Sequence, residues 1–466
     1  MRQMISMRRL GSKSRLLGVA MVAALLPAAC ANPFDTSVEN PNAVVEEALG
    51  DPAGATTLVN GQGASVTRAL TGIAGVYAVA SDEMTWTGSR EYWKTLDDGD
   101  IADPVNEYAD GGFPYIAEAR WLSDYTIARV SEFNTAGTLR NKKDLARANL
   151  YGAIIYTTIG EMFDDFVVAS DRTVAADPVG AANMGAMFDS AVTMTTRALA
   201  IVQTGGVAVD AELERQALGL RARAKYGKAL RAIAKAATVP AANLVNDAGA
   251  TADATAALTK MTTTYKFRLT PTANNLAGIN IGYETNNRGE IRAGSAFVNP
   301  NPTVIYLVAD GIAGIKMNDP VTGSPSTTVS NAIDACCRRT VGNNIPMTQT
   351  SAREMMLILA EARLAAGDTA GFLTQINASR AVDGLPAYTT QITSAATAKA
   401  TLEYERKVQL YLQGRRLMDM YRFGSADTRW LATGVGVRGR CLIPITYTER
   451  LTNTLAPQPN NERKCS

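Results

Sequence analysis

Apolar residues recur at helical spacings through the first half of the chain. Asp51-Pro52 is a cap followed by a first-turn proline, and opens a helix toward Asp82. In "PYIAEARWLSDYTIARVSEF" (114–133), Ile116, Ala119, Leu122, Tyr125, Ile127 and Val130 recur at helix-like spacings. "DLARANLYGAIIYTTIGEMF" (144–163) is apolar almost all round, as a core helix is. Two more helices are predicted over 183–202 and 212–237, the second closing near Pro240. The pattern then fails. Between about 262 and 345 the text is rich in Asn, Gly, Pro and Thr. That is long for a simple connection, and such segments are often functional. Helices resume at Ser351-Ala-Arg-Glu354, which reads as a capping box. One helix stops at Gly367, Asp368 caps the next, which runs to Gly384, and a further helical stretch covers 393–422.

The expected fold is therefore mainly α. Helices of about twenty residues joined by short polar breaks predict tetratricopeptide-like hairpins over 41–240. A loop-rich segment with few short strands follows over 241–345, then a second helical part over 346–466.

The amino terminus has a different pattern. Residues 1–15 carry Arg2, Arg8, Arg9, Lys13 and Arg15 and no acid, and an uncharged run follows from Leu16 to Ala29. That is a secretory signal, 1–29, and too short to span a bilayer, which takes about 20 apolar residues. Cys30 follows Ala28-Ala29. The site resembles a lipobox, at which cleavage precedes an acylated cysteine. Cleavage after Ala29-Cys30-Ala31, an A-x-A pattern, is the alternative. Residues 30–40 form a polar tether.

The chain has 46 basic and 44 acidic residues. Subtracting the five basic signal residues leaves 41 against 44, a balance of −3. With no basic tail, nucleic acid is not an expected partner. Histidine is absent, which excludes Ser-His-Asp and Cys-His catalysis and histidine zinc sites. No metal site and no cofactor is expected. In an exported chain Cys336, Cys337, Cys441 and Cys465 are disulfide candidates. A bridge between neighbours would be strained, so at least one of Cys336 and Cys337 is expected to pair with Cys441 or Cys465.

Three blocks in the last third, "EMMLILAEARLAAGD" (354–368), "QINASRAVDGLP" (375–386) and "YERKVQLYLQGRRLMDMYRFG" (404–424), resemble the SusD/RagB family of outer-membrane nutrient-binding lipoproteins. Their order and spacing carry the likeness. "NPNAVVEEAL" (40–49) resembles the family's opening helix, and "CLIPITYTERLTN" (441–453) its closing segment. Gln409 and Gln413 depart from it, standing where the family usually has Glu. Glu361, Arg380, Arg406, Arg416, Asp419 and Arg422 lie among apolar helix positions and are expected to be paired in an interhelical ion-pair network, not to catalyse.

The resemblance implies acylation at Cys30 and a lipid anchor in the outer membrane, facing the exterior. It also implies a SusC-like TonB-dependent barrel as partner and a glycan, or less readily a peptide, as ligand. Sugars bind on flat aromatic faces flanked by planar polar groups. "SDEMTWTGSREYWK" (81–94) offers Trp86, Arg90, Tyr92 and Trp93 beside Asp82 and Glu83, though one of the two tryptophans would equally seal the helix end. "YETNNRGEIR" (283–292) offers Tyr283, Asn286, Asn287 and Arg288, or an ordinary solvated loop. Tyr306 and Trp430 read as packing residues. Two other function classes stand beside uptake. One is a helical scaffold that binds only protein. The other is a glycosidase using Asp97, Asp98, Asp100, Asp164 or Asp165, although adjacent loop acids usually cap helices or face water. "DDGD" (97–100) lacks a full calcium loop.

Overall fold

Pro52–Gly54 forms a single 3-10 turn, capped by the Asp51 carboxylate on the Ala53 N–H, and feeds the first long helix. The computed structural model describes residues 49–171, 173–204, 210–299, 314–337, 341–425, 427–431 and 439–465. The signal segment, Cys30, the tether, the "NPNAVVEEAL" stretch up to residue 48 and Tyr306 lie outside the described residues.

Helix α1 (Ala55–Ala80) is followed by a short strand β1 (Met84–Trp86) and a two-turn helix α2 (Glu91–Asp97). Next come α3 (Glu107–Thr135), α4 (Lys142–Met162), α5 (Gly185–Thr204) and α6 (Ala211–Ala234). Helix α3 starts two turns before the apolar period does, because Asn106 accepts from the Tyr108 and Ala109 N–H groups; Pro114 is carried inside. Asn141 and Asp210 cap α4 and α6 in the same way. Successive helices pack as hairpins: α1 on α3, α3 on α4, α4 on α5, α5 on α6. Close approach depends on missing side chains. The Phe188 ring of α5 is fully buried, and a Cβ on either Gly160 or Gly227 would lie 2.7 Å from it.

The segment read as loop-rich contains more structure than its composition announces. Helix α7 (Ala248–Leu258) is capped by Asp247 and packs on α6. Strand β2 (Lys266–Leu269), a π-helical turn at Tyr283–Arg288, strand β3 (Ile291–Ala293) and helix α8 (Thr327–Cys336), capped by Ser326, follow. Strand β4 (Met347–Ser351) leads into α9 (Ala352–Ala365), then α10 (Thr369–Ala381), α11 (Ala395–Gln409), α12 (Arg416–Phe423) and α13 (Tyr447–Thr452). The strands make two antiparallel pairs, β1 with β3 and β2 with β4.

Three sequence expectations need correction. Ser351 does accept from the Glu354 N–H, but the Glu354 carboxylate turns away to Arg415, 2.7 Å off, so the box is only half made. The stretch 393–422 is two helices, because Leu412 and Gly414 both take positive φ, 57° and 73°. Neither Cys336 nor Cys337 pairs with Cys441 or Cys465: Cys336 bonds its neighbour Cys337, and Cys441 bonds Cys465. Fold geography decides this. Cys336 ends α8 beside Asn286, whereas the Cys441 carbonyl accepts from Tyr421 and its Cα lies 5.0 Å from that of Cys465.

The charges of the last third are paired in the interior. Arg422 bridges Glu361 and Asp419, and Arg406 meets Asp419 at 2.8 Å. Arg380 joins Glu405 and Asp319, and Arg415 joins Glu354 and Glu161. Arg416 grips Asp82, across 334 residues, with bonds of 2.7 and 2.8 Å, and Lys407 adds a third at 2.7 Å. These bonds fasten the first hairpins to the carboxy-terminal helices.

Candidate functional site

Pairing of β1 with β3 brings the two sequence-predicted stretches together. Met84, Thr85 and Trp86 face Ala293, Arg292 and Ile291. The loop beyond β1 then folds over Glu290, whose carboxylate accepts from the Ser89 and Arg90 N–H groups at 2.8 and 2.9 Å. Gly88 permits this: a Cβ there would sit 2.1 Å from Glu290 Oε2 and 2.7 Å from its Cα.

The seven candidate side chains divide by exposure. Arg90 and Asn287 are exposed, and Trp86, Tyr92, Tyr283 and Arg288 are half-buried. Trp86 Nε1 has no hydrogen-bond partner among the described residues. Trp93 is only 2 % exposed. It stacks on Tyr108 with ring centroids 3.8 Å apart, and its Nε1–H donates to Glu284 Oε2 at 3.1 Å. It therefore seals the end of α1 and orients its neighbours without presenting a face. Arg288 donates to the other oxygen of Glu284 at 3.2 Å and stands 5.8 Å from the Tyr283 ring. Burial raises the Glu284 pKa, against the pull of Arg288 and Trp93. Asn286 faces inward and donates to the Cys336 and Gly342 carbonyls.

Beside Arg288 lies an open depression of about 370 Å³, walled by Glu107, Tyr108, Tyr115 and Ile279. Arg68 covers one face of Tyr115, 4.2 Å from its ring centre. Sequence reasoning missed this wall. Asn106, a residue type that caps helices, stands two places before Tyr108 and is the only signal the sequence holds for it. A larger hollow of about 480 Å³ sits elsewhere on α3, against Trp121, and none of the sequence candidates lines it.

Asp82 and Glu83 belong to the interior. Burial pushes the Asp82 pKa up, but Arg416 and Lys407 outweigh it and hold the carboxyl well below the usual range. Glu83 accepts from the Leu412 N–H at 2.7 Å, and burial pushes its pKa up to about 8. The acids of the glycosidase reading have structural partners. Asp97 is held by Arg429 and Thr85, Asp98 by Lys94, Asp100 by Arg463, and Asp164 by Lys235. Asp165 accepts from the Phe166 and Gly180 N–H groups. Trp430 rests against Tyr421, 6.5 Å between ring centres. No helix among the described residues is long and apolar enough to cross a membrane.

Comparison with known proteins agrees with this architecture. Residues 343–450 match the SusD family. A SusD superfamily protein from Bacteroides thetaiotaomicron has a TM-score of 0.58 at 12 % identity, covering 88 % of this chain and 100 % of that one. One from Bacteroides vulgatus scores 0.57 at 12 %, covering 88 % and 99 %. A SusD-like carbohydrate binding protein from Bacteroides vulgatus scores 0.51 at 13 %, covering 80 % and 84 %. No curated protein matches the chain.

Proposed function

We propose, from the premise that this chain belongs to the SusD/RagB family, that it is a lipid-anchored outer-membrane protein that captures a glycan and hands it to a SusC-like TonB-dependent barrel. Cys30 carries the anchor, and the protein does no covalent chemistry on its ligand. The observation that carries the reading is the β1–β3 pairing. It brings the stretch that holds Trp86, Arg90 and Tyr92 beside the one that holds Tyr283, Asn287 and Arg288, and Arg288 lines an open depression. Half-buried rings beside a guanidinium and an amide suit the apolar face and the hydroxyls of a sugar ring. Trp93 holds the platform from beneath. The SusD-like carbohydrate binding protein among the structural relatives supports the choice of a glycan over a peptide.

Calorimetry with neutral malto-, xylo- and β-gluco-oligosaccharides tests the capture step. Trp86→Ala and Arg288→Ala should each weaken binding at least tenfold while the circular dichroism spectrum is unchanged. Unaltered affinity in both would move the site elsewhere. The partner is tested by a mild-detergent pull-down of the full native protein, which should yield a TonB-dependent barrel in stoichiometric amount. Cys30→Ser should release the protein from membranes.

A further inference from the structure

The β2–β4 ribbon carries a cluster of cations that the glycan reading does not use. Lys266 and Arg268, two residues apart on β2, both lie on its exposed face. Neither has an acidic partner among the described residues. Arg353, at the start of α9, stands with them and is engaged by Asp383. Two adjoining cavities, of about 260 and 380 Å³, share these four residues as walls. Three cations thus face one carboxylate. Enclosure, together with the Arg268 and Arg353 charges, presses the Lys266 pKa down, as an unbalanced positive cluster does.

The inner cavity has a second chemistry. Gln409 and Gln413 both line it. Gln409 is 7 % exposed. Its amide nitrogen is committed to Glu405 Oε2 at 2.5 Å and to Ser379 Oγ at 2.9 Å. Its Oε1 is left as a buried acceptor without a donor, and so is that of Gln413. Apolar Ile281, Met347 and Val408 complete the lining. Carboxylates at 409 and 413 would set negative charge against the cations; amides add none.

We propose that this trough is a second binding site, separate from the Trp86–Arg288 platform, for an acidic sugar of the hexuronate type. Its carboxylate would sit against Lys266 and Arg268. Its apolar ring face would lie on Ile281 and Met347. The site does not rest on glycan binding at the platform.

The test is calorimetry of the full chain with D-galacturonate, with D-galactose as the neutral counterpart. Galacturonate should bind and galactose should not compete with it. The double variant Lys266→Gln/Arg268→Gln should weaken galacturonate at least tenfold, as loss of charge-assisted bonds does. Both residues are exposed, so the variant should fold, with an unchanged melting curve. Trp86→Ala should leave galacturonate affinity intact, which separates this site from the platform. The proposal is overturned if galacturonate fails to bind, if the double variant binds it equally well, or if galactose competes on equal terms. Displacement by inorganic sulfate at equal concentration would also overturn it, because the trough would then hold any anion.

Discussion

Glu83 is a buried acid whose environment acts on protonation and backbone together. Its carboxylate meets the N–H of Leu412, a non-glycine residue at φ 57°. That left-handed conformation is costly and persists where surroundings hold it. Burial keeps the proton on to about pH 8 in the folded state, whereas an unfolded Glu loses it near 4.3. Between those values the unfolded chain binds fewer protons, so stability falls as pH rises through the window. Glu83→Gln keeps an acceptor for Leu412 and removes the titration. Its urea midpoint relative to the parent should therefore be higher at pH 8.5 than at pH 5.5. An equal offset at both pH values would mean that Glu83 ionises normally. None of this was legible in "SDEM", where Asp82 and Glu83 read as loop acids beside a ligand. Their partners, Arg416 and Leu412, are more than 300 residues away. The charged helix positions of the last third were more transparent, because an arginine among apolar neighbours must find an acid.

Elements differed in how clearly the sequence announced them. The long helices of the first half declared themselves through period and caps, to within a few residues at most ends. The site depends on something quieter. Strands of three residues have no period to read, and β1 and β3 lie some 200 residues apart. The loop beyond β1 is brought onto Glu290 by a close backbone approach at Gly88. Gly88→Ala should push Glu290 away, unpin the Ser89 and Arg90 N–H groups and weaken glycan binding at least tenfold, with only a modest fall in melting temperature. Undiminished binding would show that the loop can shift without harm to the platform. Packing among the hairpins is a separate matter. Phe188→Ala should cost about 3–5 kcal/mol in urea unfolding, because Gly160 and Gly227 cannot fill the space left. The break between α11 and α12 was hidden because Leu412 gives no compositional warning of its conformation.

The whole molecule is closed from both directions. Asp82, Glu161 and Asp419 are buried, but their arginine partners hold their pKa values below the ordinary range. For such acids, stability is fully present above the unfolded pKa and is lost as pH falls through the folded one. Unfolding followed by tryptophan fluorescence should therefore set in below about pH 4 and leave the buried arginines without partners. At the other end, the Cys441–Cys465 bridge ties down the chain after α13, and Arg463 reaches Asp100 and Asp103. The double variant Cys441→Ser/Cys465→Ser should lose about 2–4 kcal/mol of stability, read from denaturant midpoints. A count of cysteines could not have shown this pairing, since it depends on which ends the fold brings together.

The Asp82–Arg416 clasp also sets an order in time. A chain made from its amino end presents Asp82 long before Lys407 and Arg416 exist. Until they arrive, the end of α1 holds an acid that cannot be buried without its countercharges. The first hairpins can form locally and early, but their junction with the later helices must wait for almost the whole chain. Long-range closure of this kind slows folding. The seam between the first hairpins and the later helices is thus made of contacts more than 300 residues apart in the chain.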